Sequence, residues 1–167
     1  MAACPTHSNT VPASSPETSS VEWYLPRHVR SVGRSRKLLR LQARSWGLAD
    51  DTTETAVLLL SELVTNACQH ARVPPGRQIG TRCVLHDRTL RIEVSDASAD
   101  LPQPRRAEPD DESGRGLALV TTLADAWGAH PRPHGIGKTV WFELNLPADR
   151  LPPDVHQATG APRTARA

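Results

Sequence analysis

Cysteine is scarce in this sequence. Three of the 167 residues are cysteine, Cys4, Cys68 and Cys83, and no two stand close together. That excludes a disulfide framework and any metal motif built on thiolates, and it fits a reducing compartment. Long apolar runs are also lacking. A membrane span takes roughly 20 apolar residues, and the longest candidate run, residues 56–60, is far shorter. The opening Met1-Ala2-Ala3-Cys4-Pro5 has no charged lead and no apolar segment, so a secretory signal is not expected and a cytoplasmic location is. Neither sign of charge dominates: 20 Lys and Arg face 18 Asp and Glu, a net charge of +2. That balance speaks neither for nor against a polyanionic partner. No internal repeat is found.

What is present suits one domain with tails. Residues 1–20 are rich in Ser, Thr, Pro and Ala without apolar periodicity, and residues 151–167 return to Pro, Ala, Arg and Thr. Both are expected to be disordered, with the ordered domain over residues 21–150. Residues 21–25 read as an edge strand closed by Pro26. Residues 27–46 read as a helix: Val32, Ser35, Leu39, Ala43 and Trp46 share one face, with Arg30, Arg34, Lys37 and Arg44 opposite. Gly47 ends it as the C′ residue. Asp50 or Asp51 caps a second helix running to about Ala71. Alternation then predicts a hairpin, residues 79–85 and 90–94, turning at His86-Asp87-Arg88. Residues 101–113 hold three prolines and a cluster of charges, and read as a mobile loop or lid. Residues 116–124 are helical, 126–129 a short strand, Gly135-Ile136-Gly137 a turn and 140–146 the last strand. Helices grouped on one face of a mixed, mostly antiparallel sheet make a two-layer α/β sandwich of the α+β class.

Four segments carry candidate chemistry. On the second helix Glu62, Asn66 and Gln69/His70 leave one side, while Ala56, Leu60, Leu63, Val64, Ala67 and Ala71 pack on the other. A carboxylate accepts protons and a carboxamide oxygen suits a hard cation, and a site that activates a nucleophile beside Mg-ATP needs both. The plainer reading is a solvated stripe. Asp96, at a strand end, can accept the amino hydrogen of adenine or merely open a turn. Ser113-Gly114-Arg115-Gly116-Leu117 joins the lid to a helix start, a phosphate-binding arrangement to which Arg115 adds charge. A lone Gly-x-Gly is a weak signal. Thr139, in Gly137-Lys138-Thr139-Val140-Trp141-Phe142, can sit beside a base or serve only as a β-former. The order of the four within one domain is more telling than any one of them.

In that order the segments resemble the GHKL ATPase/kinase superfamily, with its Bergerat ATP-binding fold and histidine-kinase-like ATPase domain. The run from Glu62 to Ala71 resembles its N box, and Val94-Ser95-Asp96 the start of its G1 box. Ser113 to Leu117 resembles its G2 box, and Gly137 to Leu144 its closing strand. The sequence looks most like the small bacterial anti-sigma-factor, serine-protein-kinase type. One departure stands out: the G1 box usually continues Asp-x-Gly, and here it reads Asp96-Ala97-Ser98. The resemblance implies ATP and Mg²⁺ as cofactors. It makes Glu62 the general base, Asn66 the magnesium ligand and His70 a basic group near the phosphates or lid. Asp96 and Thr139 fall at the base, and Gly114 and Gly116 at the lid hinge and phosphates. It also implies an anti-sigma factor that phosphorylates Ser or Thr on an antagonist (anti-anti-sigma) protein, with a sigma factor as client and a homodimer as assembly. A nucleotide-gated module that sequesters its partner without phosphoryl transfer is the alternative. Nucleic-acid binding through Arg30, Arg34, Lys37 and Arg44 is a third reading, with a solvated helix face the simpler account. A zinc site at His130 and His134 is disfavoured by Pro131 and Pro133.

Overall fold

The computed structural model describes residues 18–69, 78–98, 100–101, 115–133 and 137–147. The elements run β1 (Thr18–Pro26), α1 (Arg30–Ser45), α2 (Asp50–Gln69), β2 (Gln78–His86), β3 (Thr89–Asp96), α3 (Arg115–Leu123), β4 (Ala126–Pro131) and β5 (Lys138–Asn145). This is the order read from the sequence. The first strand begins at Thr18, so residues 18–20 belong to the sheet and not to the tail expected over 1–20. The rest of that tail, the tail over 151–167 and most of the expected lid lie outside the described residues.

The five strands form one sheet in the order β1-β2-β3-β5-β4. Every neighbouring pair is antiparallel, a stricter version of the mostly antiparallel sheet expected. Alternation sets the two faces. Ile79, Thr81 and Cys83 of β2, Leu90, Ile92 and Val94 of β3, and Val140, Phe142 and Leu144 of β5 are buried on the side that carries the helices. α2 packs against α1, α3, β3 and β5, and is the element around which the core is built. Its buried residues include Val57, Leu59, Leu60, Leu63, Val64 and Ala67. α1 buries Val32, Ser35, Leu39 and Ala43, as its periodicity predicts, and its outer Arg40 donates from two nitrogens to Glu54 of α2 (2.8 and 2.7 Å).

The helix ends follow local chemistry. Gly47 takes φ 66°, and Leu48 N donates to Ala43 O at 2.9 Å, the long bond of a Schellman ending. Asp50 and Asp51 lie inside the first turn of α2 and not ahead of it. There they favour the helix dipole, while Ala49 O accepts from Thr53 N. On the sheet face away from the described helices the Arg91 guanidinium stacks 3.9 Å above the Trp141 ring centroid. It also donates to Glu93 and Glu143, each at 2.7 Å.

Candidate functional site

Glu62 and Asn66 stand one turn apart on α2, both half-buried. α2 packs between α1 and α3, burying Leu59, Leu60, Leu63, Val64 and Ala67 and leaving Glu62 and Asn66 partly exposed. The start of α3 closes on Glu62. A Cβ added at Gly116 would lie 2.5 Å from Glu62 Oε2 and 3.4 Å from Glu62 Cβ. Glycine is what lets the helix backbone come so near the carboxylate. The first backbone N–H groups of a helix have no partner within it and carry its positive dipole end. α3 therefore opens with anion-seeking donors beside an acid. It is anchored behind them by the buried Val120, with Leu117 half-buried one turn earlier.

Asp96 ends β3 and is only 4 % exposed. Its Oδ1 accepts from Ser98 N at 2.7 Å, an Asx turn. Its Oδ2 lies 3.3 Å from Lys138 Nζ. Lys138 is itself buried, at 7 % exposure. The two are register partners across β3 and β5, and Gly137, with φ 98°, makes the approach possible. A Cβ at Gly137 would run into the Asp96 carbonyl and Ala97 Cα. Ser98 stands where the resemblance expects glycine. Asp87 is the one non-glycine at positive φ among the described residues, so Ser98 uses none of glycine's special freedom.

The structure brings Glu62, Asn66 and Gly116 to one strip, and seats Asp96 at the end of the same helix-covered face. It does not bring Thr139 to Asp96. Thr139 pairs with Ser95, and their hydroxyls meet at 2.8 Å on the opposite face of the sheet. Side chains alternate along a strand, so the neighbour of Asp96 is Lys138 and not Thr139. Lys138 and Ser98 are the site residues that motif reading passes over. The signal for Lys138 is in the sequence: it shares parity with the apolar Val140, Phe142 and Leu144. Arg115 is the first residue of α3, and His70, Ser113 and Gly114 lie outside the described residues.

Two residues past Asn66, Cys68 donates its S–H to His28 O at 3.5 Å, and burial raises its pKa. Among the described residues no three His, Cys, Asp or Glu side chains gather as a metal cage. Magnesium is commonly held by one or two carboxylates plus substrate phosphates, and the carboxamide oxygen of Asn66 is a hard donor of the kind that could join such a set.

A solved structure of the RsbU and RsbW domains of Rv1364c from Mycobacterium tuberculosis is similar, with a TM-score of 0.61 and 19 % identity. The match covers 77 % of this chain and 32 % of that one, so the chain spans about a third of that structure's length. The histidine kinase domain of the blue-light activated histidine kinase EL346 from Erythrobacter litoralis aligns with a TM-score of 0.45 and 20 % identity, over 72 % of this chain and 61 % of that one. Among curated proteins no relative is found. The first likeness shows the shared fold, in agreement with the strand order and helix placement above. The chain belongs to the histidine kinase-like ATPase domain family, whose model matches residues 24–144, well over half its length.

Proposed function

We propose that this chain is an ATP-binding regulatory protein of the partner-switching type, an anti-sigma factor that phosphorylates Ser or Thr on an antagonist protein. The observation that carries this reading is the close approach of the α3 start to Glu62, made possible by Gly116. It sets an acid beside the helix terminus best suited to phosphates. Family membership makes ATP the natural ligand.

Each residue then has a part. Asp96 accepts from the 6-amino group of adenine, with Ser98 N holding its other oxygen in place. The first amides of α3 would receive the phosphates, and Asn66 would hold a magnesium ion carried with them. Bound there, magnesium would supply positive charge against the phosphates. Glu62 orients the incoming seryl hydroxyl and takes its proton as the new O–P bond forms and the bond to ADP breaks. Gly116, lacking a side chain, leaves room for the Glu62 carboxylate against the α3 backbone.

The test uses the purified chain, [γ-³²P]ATP with magnesium, and a candidate antagonist protein. Acid-stable label on the antagonist is expected, since a seryl phosphoester survives acid that strips phosphohistidine. Glu62→Gln should bind Mg-ATP nearly as wild type while transfer falls about 10²–10⁴-fold. Labelling at the wild-type rate by that variant would remove Glu62 from the mechanism. Tight ATP binding with no label on any antagonist would leave the chain a nucleotide-gated binding module.

A further inference from the structure

Asp96 and Lys138 are the two charged side chains buried among the described residues, and they face each other. The phosphoryl transfer described above gives Lys138 nothing to do. An ammonium has three donors. Lys138 Nζ is ion-paired with Asp96 at 3.3 Å, and among the described residues it has no other ionic partner. Asp96 also keeps acceptor capacity. A carboxylate offers about four lone-pair sites, of which Ser98 N and Lys138 address one each.

A purely structural role is hard to reconcile with the surroundings. Lys138 occupies the same face as Val140, Phe142 and Leu144, where an apolar residue would continue the pattern. A buried pair of this kind is often no more stabilising than apolar side chains of similar volume. What the pair does provide is a donor and an acceptor 3.3 Å apart, both held by strand backbones. The Watson–Crick edge of adenine offers the complement: an amino donor at C6 next to an acceptor at N1.

We infer that Lys138 reads the base, donating to N1 of adenine while Asp96 accepts from the 6-amino group. This rests on the reading of ATP as ligand and Asp96 as the residue that meets its amino group. In the same seat a 6-oxopurine would aim its carbonyl oxygen at Asp96 and its N1–H at the ammonium. Both contacts are then mismatched in a buried place, which is the setting where lost hydrogen bonds discriminate most. Lys138 is thus a specificity-determining residue.

The experiment titrates the magnesium complexes of ATP, 1-deaza-ATP and 7-deaza-ATP into the full chain by calorimetry. The same titrations are made with Lys138→Met, Lys138→Arg and Asp96→Asn. Wild type should bind ATP about 10–100-fold more tightly than 1-deaza-ATP, the range for one charge-assisted hydrogen bond. It should bind 7-deaza-ATP like ATP. Lys138→Met, which has no donor, should bind ATP and 1-deaza-ATP alike, and Lys138→Arg should restore part of the difference. Equal binding of ATP and 1-deaza-ATP by wild type overturns the inference without any variant having to fold. So does a loss with the 7-deaza analogue in place of the 1-deaza one, or a difference that persists in Lys138→Met. If ATP binds, Asp96→Asn weakens it and 1-deaza-ATP binds equally, only the role of Lys138 falls. If ATP does not bind wild type, the parent reading falls with it.

Discussion

At Gly116 the space for a side chain is already taken by the carboxylate of Glu62, 2.5 Å from where a Cβ would stand. The obstructing atom is the tip of a flexible side chain. A methyl group there leaves the helix in place and turns the carboxylate aside. Alanine is also the better helix former, by up to about 1 kcal/mol. Gly116→Ala should therefore melt no lower than wild type, by circular dichroism, while losing most of its phosphoryl transfer in the labelling assay. A variant that melts early, or one that transfers at full rate, would contradict a glycine kept for the site. The companion positions are less separable. Gly137 is fixed both by its φ of 98° and by the Asp96 backbone in front of it, so replacement there damages fold and site together.

Among the elements, β4 shows how the sheet face away from the described helices is finished. Gly128 lies opposite Trp141, and a Cβ on it would come 2.8 Å from Trp141 Cζ2. The indole covers the glycine and in turn carries the Arg91 guanidinium. Gly128→Val should displace the ring and break the stack, costing about 1–3 kcal/mol as overpacking does. A lowered urea midpoint with a changed tryptophan emission would show it, and an unchanged midpoint would refute it. Elements of this kind were largely legible in the sequence, because apolar spacing of about 3.6 on α1 and α2 and of 2 on β2, β3 and β5 leaves little choice. Boundaries were less so: Asp50 and Asp51 look like caps, yet Ala49 O already accepts a helical bond. At the site, helical spacing puts Glu62 and Asn66 on one side of α2, but spacing alone describes a solvated stripe equally well. Thr139 was placed at the base by motif order, although the parity of Val140 and Phe142 already assigns it to the other face. That Lys138 meets Asp96 was not legible. It depends on β3 pairing with β5, a strand that follows α3 and β4 in the chain, and tertiary pairing of that kind leaves no local pattern. The approach of Gly116 to Glu62 is hidden for the same reason.

For the whole molecule, one sheet face bears the three described helices, and the residues at the centre of the core between them are fully buried. Cys83 sits there fully buried between the register partners Val21 and Ile92. Burial pushes its thiol from an ordinary 9.0 up to about 12. The folded state thus holds a proton that the unfolded chain gives up more readily. For a group whose folded pKa is raised, the stabilising contribution is complete below the unfolded value and disappears as pH climbs toward the folded one. Stability should accordingly be insensitive to Cys83 below pH 9. Above it stability should fall by up to about 1.4 kcal/mol per pH unit, the equivalent of one proton. Cys68, raised by partial burial, and Tyr24, raised by its hydrogen bond to Glu22, act in the same direction but are more exposed. Urea unfolding at pH 8, 9 and 10 on wild type and on Cys83→Val separates these contributions. The valine variant fills a similar volume and has nothing to ionise, so its midpoint should decline much less steeply between pH 9 and 10. Equal slopes for the two proteins would mean that the thiol ionises as easily inside the core as outside it, and that water reaches the centre of the sheet.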